Sequence, residues 1–539
     1  MLGNGKQIVG PFMEMISIFL KFRSRNLYLP AMREFLLLSI LSFLFYTDGY
    51  SQRDTVRFTI DLSESSSNRF NVQMQLAVPS EQGVMDLNIP VWTPGYYQLL
   101  EFGKNISGFR VSDMTGKDLP WQKTRDDQWR IATVKSGLIK VSYTVQTDRP
   151  FVAVPFIDPQ RAFIRPTGIF MYPYGNQDLT VTVEIGDHPG WKNIATGLDS
   201  IGPRKFRADD YDMLYDSPIL VGRLRELPSF EVGGAQHRFV GYQMAQFDTK
   251  SFICDLERIV RSASDIFGEI PYDRYTFLGL GMGNGGIEQL NSTAIAFTGE
   301  RIDIDPENRL RTLAFLAHEY FHHYNVKRIR PIELGPFDYS RPNRTNSLWL
   351  SEGLTVYYEN IVLKGAGLIG PAQVLEDWQN TIQGYENNAG RKKQTLAQSS
   401  WNTWEDGPFG KRGETISFYE KGPIIGMFLD LAIRNASKNE KSLNDVMRAL
   451  YYNYYREKDR GATEAEIKMT CESIAGQNLD EIFSYIQNLD DLDYQKYLSM
   501  AGIQYQKTHN ADGKSSVKLS IQPKLSTLQK KILSDIFGY

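Results

Sequence analysis

The chain has 539 residues, of which 42% are hydrophobic and 23% are charged, and this balance excludes a disordered or fibrous protein. Its 60 Lys and Arg residues against 63 Asp and Glu residues give a net charge of -3, so no overall charge favours nucleic acid as a partner. The two cysteines, Cys254 and Cys471, allow at most one disulfide and no multi-cysteine metal cluster. Any bound metal must therefore use histidines and carboxylates.

The first predicted element is a secretion signal. Residues 35–46 read FLLLSILSFLFY, an apolar run shorter than the roughly 20 residues that a membrane-spanning helix needs. Arg33 precedes the run and small or polar residues up to Ser51 follow it, which is the layout of a signal peptide. We predict a signal peptide over residues 1–51, with Met32 as an alternative start, and export to the periplasm or the extracellular space. A buried helix or a short anchor is the alternative, and no membrane span is expected after signal removal.

The next region alternates hydrophobic and polar residues. Apolar side chains recur at every second position from Phe70, from Ile139 and from Leu179, which is the period of half-buried strands. Turn-forming clusters such as Thr93-Pro94-Gly95 separate these runs. The pattern predicts an antiparallel, sandwich-like β domain over residues 52–245.

From residue 246 to 504 the hydrophobic period becomes helical. Apolar residues at spacings of three and four predict helices over residues 252–267, 310–326, 347–363, 416–434 and 442–455. The fold class is therefore α+β and multidomain, with a mostly α domain after the β domain. Residues 505–539 are predicted to form a short C-terminal tail.

The most specific motif reads AHEYFHHYNVK, at residues 317–327. On a helix, the spacing of His318 and His322 places both imidazoles on one face about one turn apart, where they can share a tetrahedral zinc ion. Glu319 can then take a proton from a metal-activated water. His323 points about 100° away from His322 and is interpreted as a supporting or surface group. The alternative is an ordinary helix that carries polar residues.

A zinc site that leaves one position for water needs a third protein ligand. Glu352 lies 30 residues after His322, in the apolar segment SLWLSEGLTVYY. We predict Glu352 as that ligand. Glu359, seven residues further on, is the rival ligand, and a salt-bridging role for Glu352 is the other alternative.

Several strings of this sequence resemble the glycyl aminopeptidase family of thermolysin-like (gluzincin) zinc metallopeptidases, metallopeptidase family sixty-one. In chain order they are PVWTPGYYQLLEFGKNISGF (90–109), GGIEQLNS (285–292), HEYFHHYNVKRIRP (318–331), LWLSEGLTVYYE (348–359) and FYEKGPIIGMFLDLAIR (418–434). The resemblance implies that residues 246–504 form a thermolysin-like catalytic domain. It implies Zn²⁺ as the cofactor, with His318, His322 and Glu352 as its ligands and Glu319 as the general base.

The resemblance also implies residues that bind substrate. Glu288 matches the glutamate that holds the substrate's α-ammonium, and a solvent-facing loop carboxylate is the alternative. Gly285 and Gly286 either admit the substrate's backbone or only form a turn. Tyr419 matches a tyrosine that donates to the developing oxyanion, and its alternative is a core aromatic.

Three features depart from the family pattern. Gln289 stands where the family commonly has His, which affects the expected substrate preference but not the chemistry. Tyr324 replaces a commoner tryptophan and is interpreted as a packing change. Many members end in a PDZ domain, which we expect here to be absent or reduced to a remnant.

The expected function is that of a zinc-dependent aminopeptidase that removes amino-terminal residues, Gly or Ala by family analogy, from peptides. A zinc endopeptidase acting on exported proteins is one alternative. A catalytically inactive, peptide-binding homologue is another. The expected partner is a peptide substrate, and no nucleic-acid-binding module is recognised.

Overall fold

A computed structural model describes residues 55–78, 83–132, 137–510 and 513–539. The predicted signal peptide, residues 1–51, lies outside the described residues. Within the described part, a β-rich N-terminal region precedes a mostly helical one, as predicted.

The N-terminal region is built from strands with buried and exposed side chains in alternation. Its strands are β1 (Thr55–Asp61), β2 (Arg69–Val78), β3 (Val84–Asn88), β4 (Ile106–Asp113), β5 (Trp121–Arg125), β6 (Gln128–Ala132), β7 (Gly137–Gln146), β8 (Phe156–Ile157), β9 (Arg161–Ile164), β10 (Tyr172–Pro173), β11 (Thr180–Ile185), β12 (Asn193–Thr196), β13 (Asp199–Gly202), β14 (Lys205–Ala208) and β15 (Ile219–Gly222).

These strands form three sheets. A seven-stranded sheet has the order β13-β14-β11-β1-β2-β7-β4, and the two four-stranded sheets have the orders β10-β3-β6-β5 and β12-β15-β9-β8. The pairing of β1 with β11 is parallel, which departs from the predicted purely antiparallel arrangement because a long stretch of chain connects the two strands. Val72 and Val141 from the large sheet share one buried core with Leu87 and Trp129 from the first small sheet.

The sheet β12-β15-β9-β8 is buried on both faces. Ile164 and Ile219 belong to the core of the N-terminal region, whereas Phe163 and Leu220, one position away, pack in a cluster with Leu278 of the following region. Because successive side chains point to opposite faces of a strand, this sheet joins the two regions through a continuous apolar layer.

A second β layer, not predicted from the sequence, supports the helices. It is a six-stranded sheet of β16 (Leu224–Glu226), β17 (Phe230–Val232), β18 (Ala235–Tyr242), β19 (Arg274–Gly279), β20 (Gly281–Glu288) and β21 (Ser292–Phe297). The main order is β16-β18-β19-β21-β20, with β17 paired to β18, so β20 is an edge strand. The sheet contains strands from both sides of the predicted domain boundary between residues 245 and 246.

Helices make up most of the remaining chain. The α-helices are α1 (Tyr211–Tyr215), α2 (Thr249–Phe267), α3 (Pro306–Phe321), α4 (Leu354–Gly365), α5 (Pro371–Asn387), α6 (Leu396–Trp401), α7 (Thr403–Asp406), α8 (Phe418–Ala436), α9 (Leu443–Leu450), α10 (Glu464–Ala475), α11 (Asp480–Gln487), α12 (Tyr494–Leu498) and α13 (Thr527–Phe537). Two π-helices, Trp349–Gly353 and Tyr451–Arg456, adjoin α4 and α9. Short 3₁₀ helices lie at Ser65–Ser67, Phe102–Asn105, Pro166–Gly168, Ile332–Leu334, Ala389–Lys392 and Ser499–Ala501.

The predicted C-terminal tail is an ordered part of the fold. Strands β22 (Ile503–His509) and β23 (Ser515–Ile521) form a hairpin, and α13 follows it. The side chains of Gln379 and Gln383 on α5 accept hydrogen bonds from the backbone of β23 at 3.1 and 3.0 Å. These bonds cover the free edge of the hairpin.

Two further expectations can be compared with the described residues. None of the described helices combines the length and the hydropathy needed to cross a bilayer. Cys254 is exposed and Cys471 is buried, and both are free thiols.

Candidate active site

Helix α3 carries the two predicted imidazole ligands. Its first turn is closed by Asp305, whose side chain accepts a hydrogen bond from the backbone of Asn308 at 2.7 Å. The helix ends at Phe321, one residue earlier than His322, but the His322 N–H still donates to the His318 carbonyl at 3.3 Å. The helical spacing is thus kept, and both imidazoles lie on the same side.

The three predicted metal ligands converge on one point. The Nε2 atoms of His318 and His322 lie 2.9 Å apart. Glu352 Oε2 lies 3.2 Å from the His322 Nε2 and 3.7 Å from the His318 Nε2. One donor atom from each of the three residues lies within 4.8 Å of the others, so the trio could hold a metal ion.

The outer nitrogen of each imidazole has its own acceptor. His318 Nδ1 lies 2.7 Å from Glu359 Oε1, and His322 Nδ1 lies 2.7 Å from the Asn325 carbonyl. Because both partners are acceptors, each Nδ1 carries the proton and each Nε2 presents a lone pair to the common point. Glu359, the rival ligand, therefore lies on the far side of the His318 ring from that point.

A π-helical turn places Glu352 opposite the imidazoles. Asn325 ties this turn to the end of α3, since its Nδ2 donates to the Leu350 carbonyl at 2.8 Å and lies 3.0 Å from the Thr355 hydroxyl. Glu352 is 2% exposed. Burial opposes its charge, but a positive charge on His322 or His318, when either ring is protonated, outweighs this effect and holds the pKa of Glu352 well below its usual range.

Glu319 lies beside the trio and is also buried. A Cβ on Gly286 would lie 2.5 Å from the Glu319 Cδ, so only glycine leaves room for this carboxylate. Burial raises the pKa of Glu319 to about 7, against the opposing effect of His318 and His322. Gly285 has a φ of +83°, which favours glycine for its backbone conformation. The two glycines thus have different roles, close approach for Gly286 and backbone conformation for Gly285.

Tyr419 closes another side of the site. Its hydroxyl donates to Glu352 Oε2 at 2.9 Å, and its ring centroid lies 6.2 Å from that of His318. Burial, together with the charge of Glu352, raises the pKa of Tyr419 well above its ordinary value, so the hydroxyl is a neutral donor. Helix α8 can bring Tyr419 this close because Gly422 meets Gly353 of the π-helix without side chains between them, a Cβ on either lying 2.6 Å from the other's Cα.

Glu288 lies at the end of edge strand β20 and is 4% exposed. This burial excludes the alternative of a solvent-facing loop carboxylate. Lys327 Nζ lies 3.7 Å from Glu288 Oε1, and this oxygen has no hydrogen-bond partner among the described residues. Lys327 forms a closer ion pair with Asp216, since its Nζ lies 2.6 Å from Asp216 Oδ1. Glu288 Oε1 therefore lies near a lysine to which it is not hydrogen-bonded, and it can accept a hydrogen bond from a further donor.

Two family models match the sequence. The model of the Peptidase M61 N-terminal domain matches residues 57–223, and that of the M61 glycyl aminopeptidase matches residues 311–425, together just over half of the chain. The chain belongs to the M61 peptidase family. A comparison with curated proteins gave no match.

Solved structures with the same fold include peptidases. An aminopeptidase N family protein from Idiomarina loihiensis is 27% identical with a TM-score of 0.79, over 87% of this chain and 82% of that one. An M1 zinc metallopeptidase from Deinococcus radiodurans shares the fold at 12% identity and a TM-score of 0.51, over 82% and 94% of the two chains. A two-domain M1 zinc metallopeptidase variant bound to L-arginine has 13% sequence identity and a TM-score of 0.51. The match covers 82% of this chain and 95% of that one. The M61 protein described here is thus a peptidase.

The M61 peptidase also contains site residues that the sequence did not indicate. A Cβ on Gly95 would lie 2.8 Å from Glu288 Oε2. Burial raises the pKa of Tyr97, and the charges of Glu352 and Glu288 raise it further. Both residues lie in the string TPGYY of the N-terminal region, which was matched to the family but given no role. The resemblance of this string to the family was therefore the one sequence feature that could have pointed to Gly95 and Tyr97 as site residues.

The remaining residues of the motifs have structural roles. Gln289 is fully buried, and its side-chain amide donates to the Ile287 carbonyl at 2.6 Å. Tyr324 stacks on Phe267, with ring centroids 3.9 Å apart. His323 is also buried, which rules out a surface position, and its carbonyl accepts from Arg328 at 2.7 Å.

Proposed function

We propose that this peptidase is a zinc-dependent aminopeptidase that hydrolyses the peptide bond after the amino-terminal residue of its substrate. The observation that carries the aminopeptidase assignment is the buried Glu288, whose Oε1 lacks a hydrogen-bond partner in the described structure. A buried carboxylate without a full set of donors is costly unless a ligand supplies them. The α-ammonium of a free amino terminus is such a ligand.

Zinc fits the donor atoms of His318, His322 and Glu352. Two neutral imidazoles and one carboxylate are a ligand set that zinc uses in catalytic sites. The two Nε2 atoms lie 2.9 Å apart, and their lone pairs repel each other at this distance. A cation at the common point would remove this repulsion. When bound, zinc supplies a Lewis acid that activates a water and polarises the scissile carbonyl.

The surrounding residues complete the chemistry. Glu319 takes the proton of the attacking water and passes it to the leaving amine, a task that suits a buried carboxyl whose pKa is about 7. The Tyr419 hydroxyl donates a hydrogen bond to the oxyanion. Its raised pKa allows this role because the phenol stays protonated near neutral pH. Glu288 holds the substrate's ammonium and so selects the first peptide bond.

Paired peptides test the proposal on the wild-type protein. A peptide with a free amino terminus and the same peptide with an acetylated one differ in the ammonium that Glu288 would bind. We expect acetylation to lower kcat/KM by about 10- to 100-fold, the equivalent of one charge-assisted hydrogen bond. A chelator should abolish cleavage of both peptides and added zinc should restore it.

The other outcomes separate the alternatives. Equal kcat/KM for the two peptides would contradict the amine anchor and favour the endopeptidase alternative. Absence of cleavage in the zinc-loaded protein, with binding retained, would favour the inactive peptide-binding homologue.

A further inference from the structure

We propose that the loop Thr93–Tyr97 of the N-terminal β region forms the closed end of the substrate cleft and positions Glu288. This inference rests on the proposed aminopeptidase function and assigns the loop as its specificity-determining part. The loop would leave room for an ammonium at Glu288 but not for a chain that continues beyond it.

The closest contact is made by Gly95. An added Cβ would lie 2.8 Å from Glu288 Oε2, 2.9 Å from Glu288 Oε1 and 2.8 Å from the Ile287 Cγ2. Its φ of +87° is also a conformation that favours glycine. The backbone of Gly95 therefore packs closely against the Glu288 carboxylate, and in our proposal it blocks the path of a residue that would precede the substrate's first residue.

Buried hydrogen bonds hold this loop in place. Arg165, which is 1% exposed, donates from its Nη2 to the Pro94 carbonyl at 3.3 Å. The Thr93 hydroxyl lies 2.6 Å from that of Thr167 and 3.3 Å from the Ala153 carbonyl. These partners belong to the β-rich region, so the loop is fixed to its own core and does not depend on substrate to order it.

Tyr97 is the last residue of the loop, and its ring meets that of Trp404 edge-on, with centroids 6.3 Å apart. Its side chain is 6% exposed. Burial raises the pKa of Tyr97 well above its ordinary value, and the charges of Glu352 and Glu288 raise it further, so the phenol stays protonated. A protonated phenol in this loop would donate to the first residue of the substrate.

Two glycine substitutions test the loop. Gly95→Ala adds a methyl group against Glu288, whereas Gly116→Ala adds one at an almost identical φ of +89° with no atom within 4 Å. Both variants place alanine at nearly the same positive φ, so the main difference is the contact of the added methyl group with Glu288 and Ile287. We expect Gly95→Ala to lower kcat/KM for the free-amine peptide by about 10- to 100-fold, mainly through KM. The acetylated peptide should keep its low rate, so the discrimination between the two peptides falls, while Gly116→Ala behaves as wild type.

The proposal has two independent ways to fail. The proposal would be overturned if the ratio of kcat/KM for the free-amine and acetylated peptides were the same in Gly95→Ala and Gly116→Ala. Zinc content and melting temperature would show that both proteins are folded. Tyr97→Phe, which keeps the ring and removes only the hydroxyl, should lower kcat/KM for the free-amine peptide at unchanged zinc content. Wild-type kinetics in Tyr97→Phe would overturn the inference even if Gly95→Ala does not fold. The amine anchor itself is tested separately by the wild-type peptide pair.

Discussion

The metal end and the amine end of the cleft differ in how their polar atoms are satisfied. At the metal end, Glu359 and the Asn325 carbonyl each accept from an imidazole, and Tyr419 donates to Glu352. At the amine end, Glu288 Oε1 has no hydrogen-bond partner in the described part of the chain.

This difference indicates where substrate binding energy enters. The metal end is oriented by the chain itself, so its geometry exists before substrate arrives. At the amine end, the ammonium of a bound substrate can supply the missing donor. Changes at the metal end should therefore alter kcat or metal affinity, whereas changes at the amine end should alter KM and the discrimination against blocked peptides.

The largest effect is expected for Glu319→Gln. Loss of the general base should lower kcat by about 10²- to 10⁴-fold, because the amide cannot accept the proton of the attacking water. Zinc content and melting temperature should stay near wild type. Glu307→Gln, at an exposed position on the same helix, is the control and should keep full activity. Turnover near that of the control would contradict the assigned base.

Tyr419→Phe should have the next largest effect. Removing one oxyanion donor is expected to lower kcat by about 10²-fold, with KM for the free-amine peptide little changed. Tyr452→Phe removes a hydroxyl that donates to the Phe267 carbonyl at 3.0 Å, remote from the metal ligands, and should leave kcat unchanged. A normal kcat in both variants would contradict the oxyanion role of Tyr419 and would favour the alternative that it is a core aromatic.

Glu359→Gln should affect metal binding more than chemistry. The amide is a weaker acceptor for the His318 Nδ1–H, so zinc affinity should fall by about 10- to 100-fold, measured by competition with a chelator. With saturating zinc, most of the activity should return. Glu376→Gln, an exposed carboxylate on α5, serves as the control. If zinc affinity is the same in both variants, Glu359 does not orient the ligand.

The smallest effect on activity is expected for Gly422→Ala. The added methyl group would lie 2.6 Å from the Cα of Gly353, so α8 and the π-helix must separate. We expect a loss of about 1–3 kcal/mol in the free energy of unfolding and a modest fall in kcat, since Tyr419 moves with α8. Gly384→Ala, exposed on α5 with no atom within 4 Å, should instead raise stability by about 0.4–1 kcal/mol. Urea unfolding of the two variants distinguishes these opposite signs.

The features that sequence could predict are local ones. The four-residue spacing of His318 and His322 fixes which side of a helix the imidazoles share, whatever the rest of the chain does. The alternation around Phe70 and Ile139 likewise reports half-buried strands, since the period depends only on neighbouring residues. For this reason the β-rich region, the helix that carries His318 and the apolar segment that contains Glu352 could all be predicted.

The features that sequence could not predict depend on long-range packing. Strand β20 reads GMGNGGIE, and its glycines leave no hydrophobic alternation to recognise. Glu352 and Glu359 are both near His318, and only the fold shows that they meet opposite nitrogens of its ring. The contact of Gly95 with Glu288 joins residues from different regions of the chain, so no local pattern encodes it.

The parallel pairing of β18 with β19 has a practical consequence for dissecting this peptidase. A fragment that begins at residue 246 would lose β16, β17 and β18 and expose the long edge of β19 to pairing with other chains. Such a truncation should precipitate when expressed alone. A fragment starting upstream of Leu224 would restore that edge, yet it would still lack Gly95 and the N-terminal apolar residues that pack against Leu278.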